Sequence, residues 1–296
     1  MKKIIQSLMK NLESPEIPQE VDLIIDGGGF KGAYIVGNLL YLKEMEKQGF
    51  IKIARISGTS VGSLLGLLYF LDELNLLYKL LPVFSKDYKQ TNKLTNTFDF
   101  IKRKLNRIIR EKGTKSFNKR LYINYYDLQN DRDVLSNTYP TIEKLFKKIH
   151  FSCFIPFLFD GRSSICNKID GVTPFIFPKR ENVKILFLST ITITNISTVR
   201  EILYTDDKNI TYKILQGILD MHAFYLNNKS SNMSCYIDKN SLTSSAYFIG
   251  RKLLMYIIVM LIHFYSIIQG KTNISHYYVL AKKVFESIKH TFNSSI

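Results

Sequence analysis

The sequence has no tryptophan and few cysteines, the residues that cross-link small or secreted proteins through disulfides. Its three cysteines are Cys153, Cys166 and Cys235. Three scattered cysteines are too few for a disulfide framework or a zinc site, and they are typical of a reducing compartment. Hydrophobic residues make up 46% of the 296 residues and charged residues 22%, so we expect a folded chain. Its length accommodates one large domain or two small ones.

Long uninterrupted apolar runs are also scarce. The basic N-terminus, Met1-Lys2-Lys3, is followed too soon by polar residues to be a secretory signal, so we expect cytoplasmic synthesis without a signal peptide. The most apolar run, 253–268 (LLMYIIVMLIHFYSII), is shorter than the roughly 20 residues that span a bilayer as a straight helix. It predicts either a buried core helix or a helix that contacts a membrane.

Acidic residues are scarce relative to basic ones. Lys and Arg number 41 against 25 Asp and Glu, which gives a formal net charge of +16. This charge predicts an anionic partner, which is nucleic acid, a phospholipid surface or an acidic protein. The sequence has no zinc-finger, RRM or helix-turn-helix signature, and its aromatic residues do not interleave with the basic run. Nucleic acid is therefore the least favoured of the three partners.

The first third of the chain alternates strand and helix patterns. Residues 21–25 form a short apolar run rich in β-branched residues that predicts a buried strand, and a glycine turn follows it. Apolar residues recur at helical spacing over 31–47, and 51–56 predicts a second strand. The almost wholly apolar stretch 61–81 predicts a helix that ends at Pro82. This order predicts an α/β fold with a mainly parallel sheet.

The rest of the chain is divided by composition. Residues 1–20 predict an N-terminal arm, extended over 13–20, and 21–200 predict the main domain. Within it, the polar and basic stretch 83–150 predicts a helical insertion or flap rather than sheet. Residues 201–296 predict a mainly helical C-terminal region packed on this domain. Apolar strand-like runs occur at 151–159, 175–177 and 183–193.

Residues 58–62 (GTSVG) fit the pattern G-x-S-x-G, which makes Ser60 a candidate nucleophile. A serine nucleophile needs a tight turn between a strand and a helix, where glycine avoids steric conflict. The helix that follows directs its N-terminal N–H groups toward the charge that develops in the reaction. The pattern alone is weak, but here it lies between a predicted strand and a predicted helix, as this chemistry requires.

Residues 26–32 (DGGGFKG) form a glycine-rich turn after the first predicted strand. Gly27, Gly29 and Gly32 also fit the dinucleotide-binding pattern G-x-G-x-x-G. That function needs an acidic residue at the end of the second strand, but no Asp or Glu occurs between residues 47 and 70. A Walker phosphate loop is excluded because no Gly-Lys-Ser/Thr occurs. The remaining interpretation is an oxyanion hole built from successive backbone N–H groups.

Four segments in this order resemble the patatin-like phospholipases. An Asp-Gly pair such as Asp170-Gly171 is by itself typical of an ordinary turn. Its position after the other motifs gives it more meaning, and the resemblance extends from about residue 21 to about residue 195. Val172 stands where the family more often has Gly or Ala. The four segments are 26–32 (DGGGFKG), 58–62 (GTSVG), 152–156 (SCFIP) and 170–171 (DG).

The resemblance implies a three-layer α/β/α fold and a Ser–Asp dyad without a catalytic histidine. In such a dyad Ser60 attacks the ester carbonyl, and Asp170 accepts the hydroxyl proton and later activates water. Lys31 aligns with a basic position that steadies the glycine turn. No metal or cofactor is implied. The oxyanion hole corresponds to Gly27, Gly28 and Gly29, and the supporting motif glycines are Gly32, Gly58, Gly62 and Gly171.

Alternatives to this dyad remain open. A conventional Ser-His-Asp hydrolase would draw on one of the five histidines, of which His222 is the one worth testing. A catalytically inactive protein that binds lipid or membrane on the same fold is the other alternative. The presence of both Ser60 and Asp170 favours an active enzyme. The residues favour no particular class of acyl-ester substrate, chain length or oligomeric state.

Residues 101–120 (IKRKLNRIIREKGTKSFNKR) concentrate the positive charge. They contain nine Lys or Arg and one Glu. Near an anionic bilayer, each such cation contributes about 1 kcal/mol of attraction. The stretch therefore predicts docking on an anionic phospholipid surface and peripheral association of a cytoplasmic protein with membranes. The alternative interpretation is a solvated basic face that binds nothing.

Overall fold

A central β-sheet organises the chain. The computed structural model describes residues 1–13, 15–91, 93–157, 159–190, 210–237 and 242–268. The strands in these residues are β1 (Gln19–Ile25), β2 (Ile51–Thr59), β3 (Leu121–Asp127), β4 (Arg132–Ser136), β5 (Lys168–Asp170), β6 (Val183–Leu188) and β7 (Ser234–Tyr236). They form one sheet in the order β4-β3-β2-β1-β6-β7, with β5 paired to β3.

The centre of the sheet is parallel and its edges are antiparallel. Strand β1 pairs in parallel with both β2 and β6, and β2 pairs in parallel with β3. Strands β4 and β5 run antiparallel to β3, and β7 runs antiparallel to β6. Ile25 pairs with Gly58 on one side and with Leu188 on the other, so the three central strands end at the same edge. Loops at this carboxyl edge are where ligands bind in parallel sheets.

Helices cover both faces of the sheet. The helices are α1 (Lys2–Met9), α2 (Gly32–Lys47), α3 (Val61–Leu71), α4 (Leu74–Thr91), α5 (Thr95–Lys112), α6 (Ile142–Cys153), α7 (Ile210–Asn227) and α8 (Leu242–Ile268). The larger hydrophobic cluster includes Val21, Leu23 and Ile25 of β1 together with residues of helices α2, α3 and α7. On the other face Ile24, Phe177, Ile185 and Phe187 form a second cluster, against which Phe248 packs. This arrangement confirms the predicted three-layer α/β/α fold.

Helices α2 and α7 cross at two glycines. A Cβ added to Gly37 would lie 2.1 Å from the carbonyl oxygen of Ile214, and one added to Gly217 would lie 2.0 Å from that of Tyr34. Only glycine allows backbones to approach this closely. Helix α7, which belongs to the predicted C-terminal region, therefore packs directly on α2 of the first β–α–β unit.

The predicted helix over 61–81 is in fact two helices. Asp72 adopts a left-handed conformation with φ 61° and ends α3. The N–H groups of Asp72 and Glu73 donate to the carbonyls of Tyr69 and Leu68, at 3.2 and 2.9 Å, in the bond pattern of a Schellman cap. Pro82, which was expected to end the helix, lies inside α4. The prediction failed because aspartate can adopt the left-handed cap conformation that is usually taken by glycine.

The predicted basic insertion over 83–150 is correct only in its first part. Helix α4 ends within this stretch and α5 lies entirely within it. Strands β3 and β4, however, belong to the central sheet, and α6 follows them. Strand β3 (LYINYYD) carries Asn124 and Asp127 among its apolar residues, and these polar residues hid its strand character. At the N-terminus, the predicted arm contains α1, whose Ile5 and Met9 are buried, and its last two residues begin β1.

Other sequence predictions differ in detail. Of the three strand-like runs, 183–193 contains β6, whereas 151–159 begins as the end of α6 and 175–177 is irregular. Residues 191–193 and 269–296 lie outside the described residues. The apolar helix predicted over 253–268 begins earlier, and its segment Phe248–Ile268 is by length and hydropathy able to cross a membrane, with 28% of the apolar window buried.

Candidate active site

Ser60 lies at the turn between β2 and α3. Its backbone has φ 53° and ψ −136°, a conformation that non-glycine residues rarely adopt. The side chain is nearly buried, with 8% of its surface exposed. A serine in a strained turn between a strand and a helix is the geometry of a nucleophile elbow.

The motif glycines allow the chain to fold tightly around Ser60. A Cβ added to Gly58 would lie 2.4 Å from the carbonyl oxygen of Gly62. One added to Gly62 would lie 2.5 Å from the carbonyl oxygen of Ile25, at the end of β1. A Cβ on Gly32 would only touch Val61, at 3.4 Å. Gly58 and Gly62 are therefore required by close backbone approach, whereas Gly32 is less constrained.

Side chains outside the turn hold the backbone of Ser60. Its N–H donates to Ser152 Oγ at 3.0 Å. Its carbonyl accepts from Ser63 Oγ at 2.7 Å and from Cys153 Sγ at 3.1 Å. Burial raises the pKa of the Cys153 thiol to about 12, with a smaller contribution from Asp170, so the thiol stays protonated and donates. Ser152 and Cys153 belong to one of the four sequence motifs, but the motif alone assigns neither of them a role.

Asp170 ends β5 beside the nucleophile. Burial raises the pKa of its carboxyl to about 6. The Ser60 hydroxyl, the backbone N–H of Val172 and the charge of Arg251 each oppose this rise. The Val172 N–H donates to Asp170 Oδ1 at 2.9 Å, and Thr59 Oγ1 donates to the same oxygen at 3.3 Å. A carboxyl of this pKa accepts a proton readily near neutral pH.

The loop after Asp170 is tightly fitted. Gly171 packs against β3, where an added Cβ would lie 2.8 Å from Asn124 Nδ2. The Asn124 amide donates to the Thr173 carbonyl at 2.6 Å. Val172 has φ 58°, which is an outlier for a β-branched residue. A glycine at this position would adopt this φ without strain.

The glycine turn faces Ser60, but its three glycines are not equivalent. A Cβ added to Gly27 would lie 3.0 Å from Ser60 Cβ, so the turn passes directly over the nucleophile. The Gly27 N–H donates to Asp26 Oδ1 at 2.8 Å, which removes it from the predicted set of oxyanion donors. Gly28 and Gly29 keep that role as a prediction. Lys31 is buried and its N–H donates to the Gly28 carbonyl at 3.0 Å.

An apolar cavity opens beside Ser60. It has a volume of about 110 Å³ and reaches from Ser60 and Gly29 toward helices α4 and α5. Its walls are almost wholly apolar and of a kind that suits a hydrocarbon chain. The lining residues include Leu64, Leu77, Leu81, Phe98, Ile101 and Phe159.

Arg251, which lies outside all four sequence motifs, also reaches this site. It lies on α8 and is buried, and its Nη2 donates to Asp26 Oδ1 at 2.8 Å. Asp26 directly precedes the glycine turn. No local pattern identifies Arg251, because its contacts form only when α8 packs on the sheet.

His222 lies elsewhere. It is on α7, where its Nδ1 forms a hydrogen bond of 2.9 Å with the hydroxyl of Tyr41 on α2. Burial lowers the pKa of its imidazole. It is not among the residues that line the cavity at Ser60. This position assigns His222 a packing role between α2 and α7 and argues against a Ser-His-Asp triad.

Across the described residues, no cluster of three or more His, Cys, Asp or Glu is placed to hold a metal ion.

Comparison with known proteins agrees with this geometry. A search of curated proteins found no match to the chain. The sequence model of the patatin-like phospholipases matches residues 23–177, just over half of the chain, and this segment contains all four motifs. The chain therefore belongs to the patatin-like phospholipase family, whose members in general hydrolyse lipid esters.

Proposed function

We propose that this protein hydrolyses fatty-acyl esters of lipids through a dyad of Ser60 and Asp170. The observation that carries the proposal is the position of Ser60. It is held in a strained turn between the Asp170 carboxyl, whose pKa is about 6, and an apolar cavity. The cavity suits the acyl chain, and the glycine turn lies close to Ser60, where a Cβ added to Gly27 would be 3.0 Å from Ser60 Cβ.

The reaction has two steps. In the first, Ser60 Oγ bonds to the acyl carbonyl carbon, its proton passes to Asp170, and the leaving alcohol departs with that proton. In the second, Asp170 takes a proton from water, the hydroxide attacks the acyl-enzyme, and the fatty acid leaves as Ser60 regains its proton. The N–H groups of Gly28 and Gly29 stabilise the oxyanion in both steps.

The raised pKa of Asp170 supports its role as base without a histidine. A carboxyl of ordinary pKa is a poor base for a serine hydroxyl. Burial moves the pKa of Asp170 upward to about 6, toward the range in which a general base is effective near neutral pH. Asp170 is 8% exposed, and this burial is the main cause of the rise in its pKa.

We further propose that the substrates are phospholipids, cleaved in the manner of a phospholipase A or a lysophospholipase, and that the enzyme acts at an anionic membrane surface. Helix α5 supports this because its inner residues Phe98 and Ile101 line the acyl cavity while its outer face is basic. A membrane bound to this basic face would therefore lie next to the acyl cavity. The outer cations are Lys102, Arg103, Lys104, Arg107 and Arg110.

Helix α8 supplies an apolar surface of the same kind. Its exposed large apolar residues recur every three or four positions, so they share one helix face. The described helix carries no acidic residue, which fits an anionic bilayer. Tyr265 packs against Phe157 with ring centroids 5.2 Å apart, and Phe157 belongs to the loop that lines the cavity through Ile155 and Phe159. The exposed face consists of Leu254, Ile257, Leu261, Phe264 and Ile268.

Because its opposite face packs on the sheet, we infer that α8 lies in the interface rather than across the bilayer. The corresponding localisation is cytoplasmic and peripheral on membranes.

Fatty-acid release from mixed anionic phospholipid vesicles tests the activity. We expect release by the wild type and its loss in Ser60→Ala and in Asp170→Asn, each shown to be folded by circular dichroism. His222→Ala is the matched control and should retain turnover. If the folded wild type binds vesicles but releases no fatty acid from any lipid class, the protein is a catalytically inactive lipid-binding protein and not an enzyme.

Vesicle co-sedimentation at low and high salt tests the membrane surface. Reversing Lys102, Arg103 and Lys104 to Glu should weaken binding at low salt. The control reverses Lys2, Lys3 and Lys10, which are exposed on or beside α1. Ile257→Ser with Leu261→Ser should weaken binding at both salt concentrations, whereas Leu219→Ser with Leu226→Ser on α7 should not. Unchanged binding by both test variants would leave α5 and α8 as solvated faces.

A further inference from the structure

Arg251 connects the two loops that carry the proposed chemistry. Its Nη2 donates to Asp26 Oδ1 at 2.8 Å and also to the carbonyl oxygen of Val172. Arg251 is 6% exposed and Asp26 is fully buried, so the ion pair is shielded from solvent. A buried guanidinium that bridges two acceptors fixes their separation.

Each acceptor belongs to a residue that is hydrogen-bonded within one of the two loops at Ser60. Asp26 Oδ1 also accepts the N–H of Gly27, at 2.8 Å, and Asp26 Oδ2 accepts Ser189 Oγ at 2.8 Å. The N–H of Val172 donates to Asp170 Oδ1 at 2.9 Å. Arg251 therefore stands between the glycine turn over Ser60 and the carboxylate that serves Ser60.

We propose that Arg251 is a positioning residue for the Ser60–Asp170 dyad, which sets the glycine turn against the Asp170 loop and keeps Asp170 ready to accept a proton. The inference rests on the dyad proposed above and adds to it a residue outside the segment 23–177 that matches the family. It makes α8, at the far end of the described chain, a part of the catalytic apparatus.

Strain in the Asp170 loop gives the bridge a function. Val172 is held at φ 58°, and a β-branched residue in this conformation costs on the order of 1 to 3 kcal/mol. Its N–H is fixed by Asp170 and its carbonyl by Arg251. Without the second bond the loop is free to relax toward an ordinary conformation, and Asp170 moves with it.

The charge of Arg251 acts on Asp170 as well. Arg251 from α8 and the thiol of Cys153 from α6 both interact electrostatically with Asp170. The Cys153 thiol is neutral because burial raises its pKa to about 12. The Arg251 charge opposes the effect of burial on the pKa of Asp170, and it also neutralises Asp26.

The test labels Ser60 with an alkyl fluorophosphonate, which needs the dyad but no particular lipid. Ser60 Oγ bonds to phosphorus, fluoride leaves, and the hydroxyl proton passes to Asp170. The labelling rate is followed by intact mass from roughly pH 5 to pH 9. The wild-type rate should rise with a midpoint near the pKa of Asp170, about 6. Four full-length proteins are compared, namely the wild type, Arg251→Gln, Arg251→Lys and Lys252→Gln.

The proposal predicts a different change for each variant. Arg251→Gln should move the midpoint to higher pH by about one unit or more, because the cation is lost. Arg251→Lys should keep the midpoint but lower the plateau rate by roughly 10-fold, because an ammonium keeps the charge without the fixed fork of the guanidinium. Lys252→Gln removes the same charge from the next position and should change neither.

The outcomes separate this inference from the proposed function. No labelling of the wild type at any pH contradicts the dyad, and the inference with it. If the wild type is labelled but folded Arg251→Gln has the wild-type midpoint, the inference alone is contradicted. The same holds if Arg251→Gln shows a lower plateau rate at an unshifted midpoint, because that is a structural effect only. If Arg251→Gln does not fold because the buried ion pair between Arg251 and Asp26 is lost, Arg251→Lys decides. A wild-type plateau in that variant contradicts positioning, and a lower plateau at an unchanged midpoint supports it.

Discussion

The hydroxyl of Ser152 lies 3.0 Å from the backbone nitrogen of Ser60 and accepts its N–H. The same hydroxyl donates to the carbonyl of Asn124 on β3, at 2.7 Å. Ser152 therefore ties the strained turn to the sheet through a single buried oxygen. Because this bond occupies the Ser60 N–H, the oxyanion has to be stabilised by other donors, and the glycine turn supplies the nearest ones.

Ser152→Ala should lower kcat by about 100-fold and leave KM nearly unchanged. The substitution leaves the buried Ser60 N–H without an acceptor, at a cost of about 1 to 3 kcal/mol, and allows the nucleophile to move from its attacking position. Steady-state fatty-acid release measures both constants. Ser63→Ala is the control, because the Ser60 carbonyl keeps its bonds from Cys153 Sγ and from the Ser63 N–H. Equal kcat in the two folded variants would show that the Ser152 bond does not position the nucleophile.

Asp170→Asn should stabilise the protein at high pH while it abolishes turnover. The pKa of Asp170 is about 6 in the folded state, above the ordinary value of 3.8. Folding therefore binds the proton more tightly, and the stability this gives is complete below about pH 4 and is lost as the pH rises through about 6. The neutral amide avoids this loss, which is on the order of 2 to 3 kcal/mol above pH 7.

Thermal unfolding of Asp170→Asn and the wild type from roughly pH 4 to pH 8 measures this difference. The variant should melt a few degrees higher at pH 8, and the two curves should converge near pH 4. If the wild type were more stable than the variant at pH 8, burial of the charged Asp170 carboxylate would carry no cost in the free energy of unfolding.

The local parts of the site could be predicted from the sequence. The pattern of strand, glycine turn and helix, followed by strand, serine and helix, forms a β–α–β unit within about 40 residues, and this unit brings the glycine turn to Ser60 through neighbouring strands. The α/β fold and the family were predicted and are confirmed. The site residues Ser60 and Asp170 lie together in the structure, while their catalytic roles stay predictions.

The distant parts could not be predicted. Arg251 lies 225 residues from its partner Asp26, and no periodicity or motif relates two such positions. The N–H of Gly27 was expected to face the oxyanion, but an aspartate next to it in the chain accepts it instead. At Pro82 the expected helix end failed because the break lies earlier, at Asp72, where the hydrogen bonds of the cap close. These features depend on hydrogen bonds and packing rather than on residue type.

Val172→Gly should give a more stable protein than Val172→Ala, the reverse of the usual order of these residues. Both substitutions remove most of the valine side chain, but alanine keeps a Cβ at φ 58° and glycine does not. Relief of this strain should favour the glycine variant by about 1 kcal/mol in the free energy of unfolding. Urea denaturation measures the difference, and a more stable alanine variant would show that the loop conformation is not strained. Both variants keep the N–H bonded to Asp170 and should retain turnover.

Thr97→Phe should shorten the acyl chain that the enzyme prefers. Thr97 is half-buried on α5 and lines the cavity at Ser60, whose volume is about 110 Å³, so a phenyl ring there fills space that a long chain would occupy. Hydrolysis of long-chain esters should fall at least 10-fold relative to that of an acetyl ester, since each methylene excluded from an apolar site forfeits about 0.8 kcal/mol. Asn96→Phe adds the same ring one residue earlier, on the exposed side of the helix, and should leave the ratio unchanged. If both variants keep the wild-type ratio of long-chain to acetyl turnover, the acyl chain does not enter this cavity during the reaction.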